Sequence, residues 1–357
     1  MNQLKFVIYT FLSLLTLTTI SSCNKDDVNV KNLKSDSSIE LRTNSLGSYS
    51  VENGRIKFPT IEDYQQTVTY LQSATDAQLV SFRNTISTET AAKAYTSFVD
   101  LVDDENMTNA QIETIEQQYS SKVKISINGE GDKEVYIKYA INPEITNLNG
   151  EYQVGQTVIK QAGTKLISIT NPTLVDPSTV NETTTTNGTN GVYVTETVLA
   201  ISPPCCPTSD SKTLEYNDGK RKRVRASYQL VNTTQVFNNP ADGRWKLVLP
   251  ELTVDAVGEH HRRRCFIFCW WSGSKTSMQH DWNINISHSL AGVANPIIIN
   301  RTQSNGNTSE IRFTNGFRGN PISILTSFPI DFVIEVCVNS VYQRVIANNR
   351  TVTITCN

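Results

Sequence analysis

The stretch KRVRASYQLVN, Lys222–Asn232, has the side-chain alternation of a β-strand. Successive side chains of a strand point to opposite faces, so Arg223 and Arg225 share one face while Val224 lies on the other. Similar segments, separated by short turns, follow one another to the C-terminus. This spacing predicts an all-β domain over residues 191–357, built as a two-sheet sandwich or a jelly-roll-like body.

Residues 51–170 show a different pattern. From Ile61 to Tyr119 apolar residues recur every three or four positions, which predicts short amphipathic helices. Between Lys122 and Thr170 the period becomes two, which predicts a small sheet. The fold class expected is therefore α+β, with a small helical N-terminal domain and its short sheet followed by the β-sandwich domain.

A Thr- and Asn-rich segment, residues 171–190, separates the two patterns. It contains two prolines and four consecutive threonines, and segments of this composition commonly form loops. We expect a linker between domains here.

The first 22 residues have the features of a signal peptide. One cation, Lys5, precedes a run from Phe6 to Ile20 that is apolar apart from Ser and Thr, and this run is too short to span a bilayer. The following ISSC resembles the lipobox of bacterial lipoproteins, a resemblance that implies lipidation of Cys23. Residues 23–50 are polar and without period, and we expect them to form a flexible tether.

The residues just after Cys23 carry a second resemblance. Lys25, Asp26 and Asp27 resemble the signal that sends Bacteroidetes lipoproteins to the outer face of the outer membrane. The expected location is therefore the outer membrane, with the protein held by its lipid and facing the extracellular side.

Two stretches of the N-terminal part resemble a known family. NGRIKF, Asn53–Phe58, and INPEITNLNGEYQVGQTVIK, Ile141–Lys160, are similar to uncharacterised Bacteroidetes lipoproteins that share a domain of unknown function. The resemblance implies a cellular location and a domain architecture. It identifies no binding or catalytic residue.

Six cysteines remain besides Cys23, and an even number in an exported chain predicts disulfides. If RCFIFCWW is one strand, the Cα atoms of Cys265 and Cys269 lie about 13 Å apart, beyond the disulfide limit of about 7 Å. Each then needs a partner elsewhere in the chain. The expected links join Cys205 and Cys206 to Cys265 and Cys269, and Cys337 to Cys356.

A metal site is the alternative use of some of these cysteines. Four histidines and two cysteines lie within 29 residues, but their spacing matches no zinc pattern, so we expect no metal and no cofactor. The sequence also lacks GxSxG, HExxH and a phosphate-binding glycine loop, and we assign no catalytic residue. The residues considered as ligands are His260, His261, Cys265, Cys269, His280 and His288.

Charge is unevenly distributed along the chain. From Cys205 onward there are 17 Lys and Arg against 11 Asp and Glu, a net charge of +6, whereas the first 204 residues carry −8. All four tryptophans lie in the basic part, and we expect most of them in the core between the sheets. Only the basic part can attract an anionic partner over a distance.

Arg221, Arg223 and Arg225 would form a stripe on one face of their strand. Guanidinium groups about 6.6 Å apart can hold successive phosphates or carboxylates of an anionic polymer. In the alternative interpretation they lie on an edge strand, where cations face water and discourage aggregation. If the stripe binds, changing all three to Gln abolishes binding and leaves the melting temperature nearly unchanged.

These features predict a non-catalytic binding or adhesion module on the cell surface. An acidic polysaccharide or lipid A phosphate suits the location better than nucleic acid, which we do not expect as a partner. A surface hydrolase acting on glycan or protein is the alternative, because the fold can bring together two carboxylates that are distant in sequence. Clustered carboxylates in a cleft would favour the hydrolase, and a patch of aromatics and arginines would favour binding.

Replacing Cys23 with Ala is expected to release the protein from the membrane, because the lipid attached to that side chain is the anchor. Fractionation of cells measures this directly. Changing Lys25 and Asp26 together is the matched variant, which should stay in the membrane fraction but become inaccessible to protease added to whole cells. Retention of Cys23→Ala in the membrane would contradict the lipoprotein interpretation.

Overall fold

The chain divides into two units, residues 1–43 and residues 44–357, and in the computed structural model the second is compact. Cys23 and the export signal at Lys25, Asp26 and Asp27 lie outside the described residues. The described ranges are 45–102, 107–185, 188–201, 205–239, 245–265, 269–290, 292–325 and 334–357.

The folded body begins ahead of the expected end of the tether at Ser50. Leu46 and Tyr49 pack against a hydrophobic core cluster. The amide of Gly47 donates to the hydroxyl of Thr67 at 3.1 Å. A Cβ at Gly47 would lie 2.2 Å from the carbonyl oxygen of Asp63, so only glycine fits there. The polar composition of this stretch conceals these contacts.

Four α-helices occur in the described parts of the chain. Thr60 and Thr75 cap the first two, each accepting a bond from the backbone amide three residues later. In the second case Gln78 completes a capping box. No helix among the described residues is both long and apolar enough to cross a membrane. The helices are α1 (Ile61–Ser73), α2 (Asp76–Thr85), α3 (Ala91–Val102) and α4 (Asn109–Tyr119).

β-strands make up most of the regular structure, so the protein is β-rich with a few helices. The strands are β1 (Ser50–Glu52), β2 (Arg55–Phe58), β3 (Lys124–Ile127), β4 (Lys133–Tyr136), β5 (Glu151–Val154), β6 (Thr157–Ala162), β7 (Lys165–Ile169), β8 (Val192–Glu196), β9 (Ala200–Ile201), β10 (Ser209–Asn217), β11 (Arg221–Asn232), β12 (Gln235–Asn238), β13 (Trp245–Leu249), β14 (Glu251–Cys265), β15 (Cys269–Gly273), β16 (Thr276–His288), β17 (Ile297–Thr308), β18 (Glu310–Arg318), β19 (Ile322–Leu325), β20 (Glu335–Ala347) and β21 (Arg350–Cys356).

The strands form four sheets. A six-stranded sheet has the order β1-β2-β5-β6-β7-β8, and a three-stranded sheet has the order β12-β13-β19. The seven-stranded sheet, called here the long sheet, runs β10-β11-β14-β15-β4-β3, with β18 also paired to β14. A five-stranded sheet runs β17-β16-β20-β21, with β9 paired to β20.

The long sheet and the five-stranded sheet share one hydrophobic core. Val224, Ala226 and Tyr228 of β11 belong to the same buried cluster as Trp282 and Ile284 of β16. The face of β11 that carries Val224 is therefore the face that packs, in the manner of a β-sandwich.

The sheets do not divide at residues 171–190. Strand β8 follows the expected linker, yet it pairs with β7, which precedes the linker. Strand β4 also precedes the linker, and it pairs in parallel with β15, which follows it. The segment itself packs on the first sheet, since Val180 is buried with Val192 and Val194, and Lys160 donates to the carbonyl of Pro177 at 2.7 Å. The Thr- and Asn-rich composition of the segment gave no indication that Val180 would be buried.

The predicted disulfide pairing is wrong. Cys205 is bonded to Cys337, and its neighbour Cys206 is bonded to Cys356. The adjacent pair therefore ties two strands, β20 and β21, to one point of the chain.

The error comes from treating RCFIFCWW as one strand. Strand β14 ends at Cys265 and β15 begins at Cys269, and the two are antiparallel with these residues opposite each other. Cys269 is disulfide-bonded. The sequence from Cys265 to Trp271 is an uninterrupted apolar run, so it gave no indication that the chain reverses between β14 and β15.

Removing the Cys205–Cys337 bond by changing both residues to Ala is expected to lower the free energy of unfolding by about 3 kcal/mol, because with Cys206–Cys356 intact the bond closes a loop of about 20 residues. Urea unfolding measures the loss. A peptide map of the non-reduced protein should join the peptide holding Cys205 and Cys206 to those holding Cys337 and Cys356. A link from that peptide to Cys269 would contradict the structure.

Candidate functional site

A cavity of about 580 Å³ lies between α3, α4 and the long sheet. It opens where β14 exchanges one neighbour for another, since β14 pairs with β18 as far as Glu259 and with β15 from His261 onward. Both of these residues line the cavity. Its volume is typical of small-molecule sites.

The strands supply most of the charged lining, and the helices supply about half of the apolar lining. Six cations face five carboxylates among the described lining residues. The cations are Lys220, Arg223, Arg225, Arg262, Arg263 and Arg264, and the carboxylates are Glu113, Glu116, Glu134, Glu259 and Glu310.

The arginine stripe exists, but it is not on an edge strand. Strand β11 lies between β10 and β14, so the solvated-edge interpretation is wrong. The side chain of Arg221 is 36% exposed, whereas that of Arg223 is 7% exposed. Arg225 is largely buried, with ion-pair distances of 3.8 Å to Glu259 and 4.0 Å to Glu134.

The chain's own carboxylates already occupy the stripe. Arg221 pairs with Glu130 at 2.9 Å, and Arg223 pairs with Glu134 at 2.5 Å. The stripe is therefore no open track for an anionic polymer. Changing all three arginines to Gln would also leave Glu134 buried without its charge partner, so we now expect the melting temperature to fall.

Glu134 stays ionised under physiological conditions. Burial alone would raise its pKa, but hydrogen bonds from Arg223 and the Tyr136 hydroxyl outweigh burial and lower the pKa to about 2. A general acid needs a pKa near the working pH, so Glu134 is unsuited to donate a proton.

His261 is held neutral. Burial, together with the positive charges of Arg223 and Arg225, lowers the pKa of His261 to about 3. No group of three or more His, Cys, Asp or Glu placed to hold a metal ion occurs among the described residues. The other histidines considered as ligands have partners elsewhere: His260 bonds the Tyr216 hydroxyl and His280 bonds the carbonyl of Ile311.

Several buried polar atoms of the lining have no hydrogen-bond partner within the described part of the chain. They are Nε of Arg223, Nε1 of Trp271, Oγ of Ser272 and Nδ1 of His261. Trp271 and Ser272 are only 3% and 7% exposed. We call Arg223 Nε, Trp271 Nε1 and Ser272 Oγ the unpartnered donors. Buried polar groups are rarely left unpaired, so this concentration around one cavity is unusual.

Two tryptophans take part in the site. The guanidinium of Arg223 lies 4.4 Å from the ring centroid of Trp271, a cation–π contact. The ring of Trp270 packs 6.0 Å from that of Phe98 in α3. Of the other two, Trp282 is buried in the sandwich core and Trp245 is 36% exposed, away from the cavity.

Sequence reasoning found the arginines of this site but missed their acidic partners. Glu130, Asp132 and Glu134 stand at alternate positions of the β3–β4 connection and of β4, and they pair with Arg221, Arg263 and Arg223. The alternation of the three acids was a usable signal. It was overlooked because they lie in the part expected to be a separate domain.

No family model matches the chain, and no curated protein matches it. Among solved structures it is similar to the crystal structure of a DUF4848 family protein from Bacteroides thetaiotaomicron. The two are 13% identical, the match covers 86% of this chain and 99% of that chain, and the TM-score is 0.28. That neighbour is thus a Bacteroides protein from a family defined by a domain of unknown function, and it transfers no site residue.

Proposed function

We propose that this protein is a lipid-anchored lipoprotein on the outer face of the outer membrane, and that its cavity binds an extracellular ligand without transforming it. The anchor and address rest on the resemblances at Cys23 and at Lys25, Asp26 and Asp27. The binding role rests on the cavity.

The unpartnered donors are the observation that carries the proposal. A buried polar group without a hydrogen bond costs about 1–3 kcal/mol of stability. A ligand acceptor that reaches Arg223 Nε, Trp271 Nε1 or Ser272 Oγ would satisfy that atom.

The ligand should carry an anionic group. The unpartnered donors require acceptors, and cations outnumber carboxylates by one in the described lining. An acidic glycan or a phosphate of lipid A meets this requirement and is available at the proposed location. Nucleic acid remains the weaker choice for the same reason of location.

The surface hydrolase remains the second candidate, because Glu134, Glu259 and Glu310 line the same cavity. Hydrolysis of a glycoside needs one carboxyl group with a raised pKa to protonate the leaving group. The pKa of Glu134 is lowered to about 2, which suits it to hold Arg223 in place. Glu134 therefore does not supply the general acid that hydrolysis would need.

Trp271→Phe and Ser272→Ala are expected to weaken the binding of acidic ligands about tenfold, because each removes one donor to a charged group. Trp245→Phe, outside the cavity, is the matched control and should bind as the wild type does. Calorimetric titration of residues 44–357 with trigalacturonate, decanoate and lipopolysaccharide measures the affinities. Stability should be unchanged or higher in Ser272→Ala, since that hydroxyl has no described partner.

Two results would overturn this proposal. One is the absence of binding to every acidic probe. The other is equal affinity of Trp271→Phe, Ser272→Ala and the wild type for a probe that does bind. Release of a cleaved product during the titration would instead support the hydrolase.

A further inference from the structure

The part of the cavity supplied by the helices differs in chemistry from the part supplied by the strands. We call its five apolar side chains the helical lining: Tyr95, Phe98, Val99 and Val102 of α3 with Ile112 of α4. Met107, between the two helices, adds to it. These side chains belong to one hydrophobic cluster, in which Phe98 and Val102 are buried and the others pack against them. Glu113 and Glu116 of α4 also line the cavity.

Part of the apolar surface of the helical lining is not buried in that cluster. Tyr95, Val99 and Ile112 are only partly buried, and Met107 is too. Their remaining apolar surface borders the cavity. Covering such surface releases about 25 cal/mol for each Å² removed from water, so an apolar ligand group would be stabilised there.

We infer that the ligand is a small anionic amphiphile, with a carboxylate or phosphate head at the unpartnered donors and an apolar body against the helical lining. The inference rests on the proposed binding function and specifies the chemical class of its ligand. An acyl chain ending in an acid has this form, as does an acylated sugar phosphate.

The size of the cavity agrees with one such molecule. Its 580 Å³ equals the volume of about twenty waters in the liquid. A long polysaccharide would need an open groove. The arginine stripe does not provide one, because Arg221 and Arg223 are paired with Glu130 and Glu134. The cavity therefore suits a ligand that enters as a whole or by one end.

Calorimetric titration of residues 44–357 with a series of fatty acids tests this inference without any variant. Affinity for hexanoate, octanoate and decanoate should rise with length, by up to about fourfold for each buried methylene. Decanoate should bind about tenfold more tightly than 1-decanol, which has the same chain without the charge. Trigalacturonate, an acid without an apolar body, should bind about tenfold more weakly than decanoate.

Variants locate the two ends of the ligand. Ile112→Gln should weaken decanoate binding about tenfold, whereas Val80→Gln on the exposed side of α2 is the matched control and should have no effect. Ser272→Ala should reduce the preference for decanoate over 1-decanol, because the hydroxyl acts only on the head.

The outcomes separate the inference from the proposed function. Trigalacturonate binding as tightly as decanoate would overturn the amphiphile and leave the proposed function standing. Equal affinity for decanoate and 1-decanol would overturn the acidic head. Failure of every acidic probe would overturn both.

Discussion

The ion pair between Arg223 and Glu134 is the constraint on which the site depends. The two residues are 89 positions apart in the sequence, and β14 and β15 separate their strands in the long sheet. Their side chains therefore meet across two intervening strands. Two further pairs accompany this one, Arg221 with Glu130 and Arg263 with Asp132. The pair of Arg223 and Glu134 lies largely out of water, where only pairing makes the charges tolerable, whereas Arg221 and Glu130 remain partly exposed.

This arrangement also explains why the arginine stripe looked like a polymer-binding site. Its guanidinium groups are spaced to meet carboxylates repeated at every second residue of an extended chain. The protein supplies acids with that spacing itself, at Glu130, Asp132 and Glu134. The carboxylates that pair with Arg221 and Arg223 therefore belong to the chain itself. What is left for an external ligand is the set of unpartnered donors beside these pairs.

Local pattern predicted local structure well and long-range pairing poorly. The alternation in Lys222–Asn232 predicted β11, and the apolar period of three to four residues predicted the helices between Ile61 and Tyr119. The disulfides and the site depend on which distant segments meet. Two features determine which segments meet: the chain reverses between Cys265 and Cys269, and β4 pairs with β15. Neither feature produces a periodic pattern in the sequence.

The pair of Arg223 and Glu134 tests the account most directly, through urea unfolding of Arg223→Gln, Glu134→Gln and the double variant near neutral pH. Arg223→Gln is predicted to lower the free energy of unfolding by about 3–5 kcal/mol, because it leaves a buried carboxylate uncompensated. The double variant should recover part of this loss, and Arg221→Gln, at an exposed pair, should cost at most about 1 kcal/mol. If Arg223→Gln costs no more than Arg221→Gln, the buried pair does not hold β11 and β4 together and the account of the cavity is wrong.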